Sequence, residues 1–178
     1  VEEIIADPIR TVAAYRRKPH PRIPMPADIY GHERRNAKGV DLTDLTILDR
    51  LREEMSEVLG KRWRAHPIVG GEEGGGQDEK EVVSPQNHSR TIGETSEATE
   101  AQVEKALSVA AQAVNDWAAT PADERAACLD KAAELMEAEM SRLMGLCVIE
   151  AGKSVPDAVA EIREAIDFCR YYALRARS

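Results

Sequence analysis

Apolar residues recur at helical spacing through the second half of the chain. After residue 98 they lie three or four positions apart in three successive runs, the spacing that gathers side chains on one face of an α-helix. The first run opens with Thr99 and Gln102, which together form a capping-box signature. This run therefore predicts an amphipathic helix. Its apolar face comprises Val103, Leu107, Ala110, Val114 and Trp117.

The second run covers residues 122–151 and predicts either one long helix or two helices with a break near 138–141. Thr120 is its expected N-cap, with Pro121 at the first helical position, where the missing N–H does no harm. Gly152 is expected to end the run in the left-handed conformation that glycine adopts easily. The apolar positions are Cys128, Leu129, Ala132, Leu135, Met136, Met140, Leu143, Met144, Cys147 and Val148.

The third run predicts a helix that begins just after Ser154. Ser154 is the expected N-cap, and Pro156 lies in the first turn, where proline is tolerated. The sequence Gly152-Lys153-Ser154 matches the end of a phosphate-binding loop, but Cys147 stands where that motif requires its first glycine. We therefore interpret it as a helix stop, a turn and a helix start. The predicted buried stripe comprises Val159, Ile162, Ile166, Cys169 and Ala173.

A further helix is predicted between Asp44, as N-cap, and Gly60, as the stop. Its apolar positions are Leu45, Leu48, Leu51, Met55 and Leu59.

Strand patterns follow that helix. Residues 66–69 form a short apolar piece, and residues 81–84 and 91–94 predict a strand pair joined by a turn at 85–88. The glycine-rich stretch 70–80 is interpreted as a mobile loop. No G-x-G-x-x-G register fits it, and its two central glutamates would repel a pyrophosphate.

The front of the chain predicts an arm. Apolar positions between 4 and 15 indicate a helix interrupted by Pro8, and the chain opens in the middle of this pattern, as expected for a piece of a longer polypeptide. Residues 18–27 contain four prolines, which favours a stiff extended connector. A proline-rich recognition segment is the alternative. Residues 31–44 are polar and rich in turn formers.

Charge divides the chain unevenly. Residues 1–40 carry eight Lys or Arg and five Asp or Glu, whereas the remainder carries 16 basic and 27 acidic residues. An acidic helical body argues against a nucleic-acid surface, and the prolines and acids of the front break up any continuous basic patch. Aromatic residues make up only 4% of the chain, which favours close packing of aliphatic helices. No apolar run approaches the ~18 residues of a membrane span.

Cysteine and histidine give no catalytic or metal motif. Cys128, Cys147 and Cys169 fall inside apolar helical patterns without C-x-x-C spacing, which is typical of reduced core residues in a cytoplasmic protein. None has a histidine or glycine-rich surround that would generate a thiolate nucleophile. The four histidines lie far apart in the sequence. We expect no catalytic residue and no metal or cofactor ligand in this chain.

The strand pair V-V-S-P-Q-N-H-S-R-T-I-G-E and the three following helices resemble the N-terminal portion of NAD-dependent aldehyde dehydrogenases. The segment I-E-A-G-K-S-V-P-D-A-V-A-E-I-R-E-A-I-D-F-C-R-Y-Y-A is similar to that of glutamate-semialdehyde (pyrroline-5-carboxylate) dehydrogenases. The upstream K-P-H-P-R-I-P-M-P-A-D-I-Y-G-H-E-R-R-N-A-K-G-V-D-L resembles the connector of the bifunctional proline utilization A family. The fold implied is mostly α with a short β-strand pair: an extended linker and the N-terminal helical part of an α/β aldehyde dehydrogenase fold.

The resemblance implies a division of the chain. Residues 1–17 would end the upstream proline dehydrogenase region, 18–43 would be the Pro-rich connector and 44–60 the amphipathic helix. Residues 61–178 would begin the aldehyde dehydrogenase domain. In such an enzyme proline is oxidised on FAD, and the semialdehyde is then oxidised to glutamate by a cysteine nucleophile, a glutamate base and NAD. Those parts lie elsewhere in the parent, so this segment alone is expected to be inactive.

Glu164 is the one residue to which the resemblance assigns contact with substrate. It matches the glutamate of the family's E-x-I-D-F segment, near the entrance of the aldehyde pocket, where it would meet the polar end of the semialdehyde. The alternative is a solvated carboxylate paired with Arg163 or Lys153.

The sequence supports two alternative functions. In the first, the chain is an interior segment of a proline-catabolic oxidoreductase, whose partners are the rest of its polypeptide and further copies of the parent. Otherwise it is a self-standing helical adaptor that binds partners through its Pro-rich arm and acidic bundle.

Overall fold

Six α-helices and five strands occur in the part of the chain that this computed structural model describes, residues 7–14 and 20–178. The protein is mostly helical with a small sheet, as predicted. The helices are α1 (Pro8–Ala14), α2 (Leu45–Leu59), α3 (Glu100–Ala119), α4 (Ala122–Ala138), α5 (Met140–Ala151) and α6 (Val155–Arg177). The strands are β1 (Trp63–Ala65), β2 (Ile68–Val69), β3 (Glu72–Glu73), β4 (Gln77–Ser84) and β5 (Asn87–Glu97).

Most helix ends lie where the capping residues predict them. The Asp44 carboxylate accepts a hydrogen bond from the Thr46 N–H at 2.9 Å at the start of α2. Thr99 and Gln102 form the reciprocal capping box of α3. Ser154 Oγ accepts from the Asp157 N–H at the start of α6. Each cap satisfies a backbone donor that the first helical turn leaves without an internal partner.

The second predicted run is two helices, because it breaks at Glu139 between α4 and α5. The predicted N-cap Thr120 is wrong. Thr120 closes α3 instead: its N–H and its hydroxyl both donate to the Asp116 carbonyl, at 3.0 and 2.9 Å. Pro121 takes the cap position of α4, outside the helix.

Helices α2, α4, α5 and α6 enclose the core together with Ala37 from the connector. Helix α2 comes close to α5 at Gly145, where an added Cβ would lie 3.1 Å from the Val58 side chain. The buried cluster comprises Ala37, Leu51, Met55, Ala133, Met140, Met144, Ala158, Val159, Ile162 and Ile166.

The predicted stripe of α6 is confirmed, with four members buried and Cys169 half-buried. The predicted stripe of α4 is partly wrong. Ala126 and Ala133 are its buried residues, whereas Cys128 and Leu135 are exposed. Each exposed residue lies two positions after a buried alanine, roughly 200° around the helix. The buried face of α4 runs along Ala126, Leu129, Ala133 and Met136, so the predicted residues Leu129 and Met136 do lie on it, half-buried, and Cys128 and Leu135 lie off it.

Strand β5 is the centre of a three-stranded sheet in the order β1-β5-β4. Strands β4 and β5 are antiparallel, which confirms the predicted pair at 81–84 and 91–94. Both strands are longer than predicted, and the connecting turn is reduced to 85–86. Strand β1, which the sequence did not predict, runs parallel to β5, with Trp63 opposite Gly93.

The interpretation of 70–80 as a loop is partly wrong. Strands β2 and β3 form a small hairpin with Val69 opposite Glu72, and β4 already begins at Gln77. The turn of this hairpin uses Gly70 and Gly71, both with positive φ, a conformation that glycine adopts without steric cost.

The front of the chain is helical from Pro8 to Ala14, with Pro8 at the first position of this helix. The rest of the helix predicted between 4 and 15 lies outside the described residues, as do positions 18 and 19 of the connector. From residue 20 the connector runs through turns and a short 3-10 helix, Pro26–Asp28, and then reaches the helical core.

Candidate functional site

One face of α6 carries Glu164, the residue to which the family resemblance assigns substrate contact. Glu164, Phe168 and Tyr171 are spaced four and three residues apart and therefore lie along the same side of the helix. With Asp167 of α6 and Arg34 of the connector they line an open hollow of about 340 Å³. The sequence did not predict that the connector reaches this site, because no local pattern links Arg34 to a helix more than 100 residues away.

The carboxylate of Glu164 is exposed and has no ion-pair partner among the residues that the structure describes. The pairing with Lys153 considered above is not formed, since Lys153 Nζ lies 2.7 Å from an oxygen of Glu161. Arg163 does not pair with it either, and its Nε is buried without a hydrogen-bond partner. The carboxylate can therefore accept hydrogen bonds from a ligand.

Aromatic rings extend the same face towards the end of α6. The rings of Phe168 and Tyr172 stack with centroids 6.1 Å apart, and Tyr171 meets Tyr172 edge-on at 5.3 Å. The Arg175 guanidinium covers the Tyr171 ring at 5.1 Å. A carboxylate beside exposed ring faces can hold a small ligand that has an ammonium group and an aliphatic chain.

The connector is fixed to this region by five side chains, which we call the clasp: Arg34, Asn36, Glu137, Asp167 and Arg170. Its central ion pair joins Arg170 Nη2 to Glu137 Oε2 at 3.0 Å. Burial of the Glu137 carboxylate raises its pKa. The hydrogen bonds from Arg170 and from the Lys38 N–H outweigh that effect, so the pKa lies below its usual value. The pair is therefore held in its charged form.

The Gly152-Lys153-Ser154 joint does not form a phosphate cradle. Gly152 has φ of +67° and ends α5, as predicted, and its N–H donates to the Cys147 carbonyl. The Lys153 ammonium is paired with Glu161, and Ser154 caps α6. These groups are already engaged within the fold, so the joint does not fit a dinucleotide phosphate.

None of the cysteine environments described is that of an activated nucleophile. Burial and the nearby Glu161 raise the pKa of the Cys147 thiol, which disfavours the reactive thiolate. Cys169 is half-buried in α6. Cys128 is exposed, contrary to prediction, and its thiol donates to the Glu124 carbonyl at 3.6 Å.

Within residues 7–14 and 20–178, no group of three or more His, Cys, Asp or Glu side chains is arranged to hold a metal ion. In the same residues no helix combines the length and apolar character that crossing a membrane requires.

Comparison with known proteins identifies the family. The profile of the "Aldehyde dehydrogenase family" matches residues 73–178. Over 183 aligned residues the chain is 39% identical to the bifunctional protein PutA of Salmonella typhimurium, an alignment that covers 99% of this chain and 14% of that protein. It is 31% identical over 139 residues to the 1-pyrroline-5-carboxylate dehydrogenase of Staphylococcus saprophyticus, covering 78% of this chain and 27% of the relative.

Solved structures of proteins with the same names are similar to this chain in fold. Proline utilization A from Bdellovibrio bacteriovorus, inactivated by N-propargylglycine, superposes with a TM-score of 0.76 and 29% identity over 80% of this chain and 15% of that one. A 1-pyrroline-5-carboxylate dehydrogenase from Thermus with bound NAD gives a TM-score of 0.72 and 31% identity over 78% of this chain and 27% of that one.

The helices and small sheet are thus part of an α/β aldehyde dehydrogenase fold. The chain belongs to the aldehyde dehydrogenase family. It is similar to PutA proteins and to 1-pyrroline-5-carboxylate dehydrogenases, and it spans 14% of the length of the curated PutA relatives.

Proposed function

We propose that this chain is the connector and the N-terminal segment of an NAD-dependent glutamate-semialdehyde dehydrogenase module, within a bifunctional enzyme that oxidises proline to glutamate. The observation that carries the proposal is a similarity to PutA that extends over 99% of the chain and so includes the connector as well as the helices. The relatives named 1-pyrroline-5-carboxylate dehydrogenase support the second reaction.

The cofactors belong, in this proposal, to other parts of the parent polypeptide. NAD would accept the hydride of the semialdehyde and FAD the electrons of proline when bound there. A Thermus relative with bound NAD supports the first assignment. Since the Gly152-Lys153-Ser154 joint does not fit a phosphate, we assign no cofactor contact and no catalytic residue to this segment. The segment alone is then inactive.

The proposed division of the chain follows the resemblance. Residues 1–17 end the proline dehydrogenase region, 18–43 connect, 44–60 form the amphipathic helix, and 61–178 begin the aldehyde dehydrogenase domain. The partners proposed are the proline dehydrogenase barrel, the aldehyde dehydrogenase core and further copies of the parent. The parent is proposed to be cytoplasmic, without nucleic-acid contact through this segment.

The proposal is tested by measuring both activities in the full-length protein. The full-length protein is expected to form NADH from pyrroline-5-carboxylate and, with FAD bound, to reduce an electron acceptor when proline is added. A full-length protein that holds FAD and NAD but turns over neither substrate would overturn the proposal. The adaptor alternative is not favoured, because nearly all of the chain aligns within much longer enzymes.

We further propose that Glu164 binds the polar end of the semialdehyde. Its carboxylate is exposed, lines the hollow beside Phe168 and has no ion-pair partner in the described part of the chain. Glu164→Ala in the full-length enzyme is expected to raise the KM for pyrroline-5-carboxylate and to leave the KM for NAD unchanged. Glu161→Ala, one turn earlier on α6, is the matched control. An unchanged KM in Glu164→Ala would remove the assignment.

A further inference from the structure

The clasp holds consecutive backbone groups of the connector against two helices. The Ala37 N–H donates to Asp167 Oδ1 at 2.7 Å, and the Lys38 N–H donates to Glu137 Oε1 at 2.9 Å. The Asn36 carbonyl accepts from Arg170 Nη1 at 2.8 Å. Three successive connector residues are thus bound by side chains of α4 and α6, and Ala37 between them is fully buried.

The polar groups of the clasp are largely removed from water. The side chains of Glu137 and Arg170 are each 10% exposed, and that of Arg34 is 13% exposed. With the Asn36 side-chain amide oriented so that its nitrogen faces Asp167, that nitrogen donates to both carboxylate oxygens at 2.7 Å. Buried charges are stable when hydrogen bonds compensate for the lost hydration, and a network whose groups are satisfied makes its surroundings more rigid.

The clasp also forms a wall of the Glu164 hollow. Arg34 Nη1 lies 3.6 Å from Asp167 Oδ1 and 3.5 Å from the Asp167 carbonyl, and its guanidinium covers the Tyr30 ring at 4.2 Å. Asp167 lies between Glu164 and Phe168 on the surface of α6 and lines the hollow with them. The connector is therefore attached to the turn of α6 that carries the proposed substrate contact.

We propose that Arg34 and Asp167 are positioning residues that fix the Glu164 face of α6 for the semialdehyde, so that the connector is a structural part of the substrate site. This inference rests on the proposed role of Glu164. It assigns Arg34 no contact with substrate: Arg34 acts by holding the helical turn from which Glu164 projects. A connector that merely joins two domains would leave substrate affinity independent of Arg34.

The test is a double-substitution cycle in the full-length enzyme, with pyrroline-5-carboxylate and NAD as the substrates. Arg34→Ala is expected to raise the KM for pyrroline-5-carboxylate about fivefold, an effect typical of coupled neighbours, and to leave the KM for NAD unchanged. Arg34→Lys, which keeps the cation, is expected to recover part of the loss. Arg34→Ala combined with Glu164→Ala is expected to have the same KM as Glu164→Ala alone. Arg35→Ala, the exposed neighbour, is the control.

Each other outcome overturns the inference in a recognisable way. If Glu164→Ala raises the KM and Arg34→Ala does not, the connector does not position the site, but the role of Glu164 stands. If the two effects multiply in the double variant, Arg34 acts independently of Glu164. If Glu164→Ala has no effect, both assignments fail. If Arg34→Ala changes kcat and both KM values together, lowers the melting temperature and is not rescued by lysine, its role is only structural.

Discussion

Helices α3 and α6 are both amphipathic in sequence, but only α6 buries its apolar stripe. Ile166 of α6 is 0% exposed, whereas Leu107 of α3 is 61% exposed and no described residue of α3 is buried. Gly70 of the β2–β3 hairpin turn lies near Val109 of α3, and all five residues of the predicted stripe are exposed. Periodicity therefore predicts which face of a helix is apolar, but not which neighbour covers it.

The two helices also differ in their polar contacts. Helix α6 is joined to the connector by Asp167 and Arg170, both through hydrogen bonds to backbone groups more than 100 residues away. Helix α3 has local caps at its ends, and its Gln102 donates to the Gly75 carbonyl. Helix α6 is thus fixed by tertiary structure and α3 mainly by its own sequence.

The largest expected effect is a difference in stability between substitutions in the apolar stripes of α6 and α3. Ile166→Ala is expected to lower the free energy of unfolding of this chain by about 4 kcal/mol, because it leaves a cavity in the core. Leu107→Ala, the matched change on α3, is expected to cost less than about 0.5 kcal/mol, since its side chain is already in water. Urea unfolding followed by circular dichroism measures both. Equal losses would show that the α3 stripe is covered.

The next effect concerns the clasp. Arg170→Ala is expected to cost about 3 kcal/mol, because it leaves the Glu137 carboxylate buried without its counter-charge and the Asn36 carbonyl without its donor. Hydrogen–deuterium exchange of peptides from α4 and α6 reports this loss as faster exchange. Lys38→Ala is the control, since Lys38 contributes its backbone N–H to the clasp. Unchanged exchange in Arg170→Ala would mean that the clasp does not stabilise these helices.

The smallest effect is a change in acid sensitivity. The folded pKa of Glu137 lies below its ordinary value of 4.5, so its contribution to stability is present above that value and is lost as the pH falls through the folded pKa. Glu137→Gln is expected to be less stable than the wild type in neutral buffer, and the difference should shrink in buffer well below pH 4.5. Urea midpoints of both proteins at the two pH values measure it. A constant difference would contradict the charged pairing.

Local signals predicted most helix ends, because caps depend on residues within one turn. Asp44, Thr99, Gly152 and Ser154 all have their predicted roles. The N-cap prediction for Thr120 was wrong because its hydroxyl donates to the carbonyl of Asp116, four residues earlier. A threonine hydroxyl can bond to the backbone at the end of a helix as well as at its start.

Non-local features escaped prediction. Strand β1 has three residues and no alternation, and it exists because β5 offers a parallel partner. In the clasp, the connector residues lie 99–134 positions in the sequence from the helical residues that bind them. The connector has no apolar pattern that would predict these contacts. Of the candidate site, Glu164 was predicted from its family motif and stays a prediction, whereas Arg34 could not be predicted because only the folded chain brings it to α6.

The close approach of α2 and α5 at Gly145 has a consequence for how the family diverges. An alanine there would bring its methyl group to 3.1 Å from the Val58 side chain, so one of the two residues has to shift. Enlargement at 145 is therefore compatible with the fold mainly when position 58 becomes smaller. These two positions should change together during evolution, and natural relatives with a larger residue at 145 should carry a smaller one at 58.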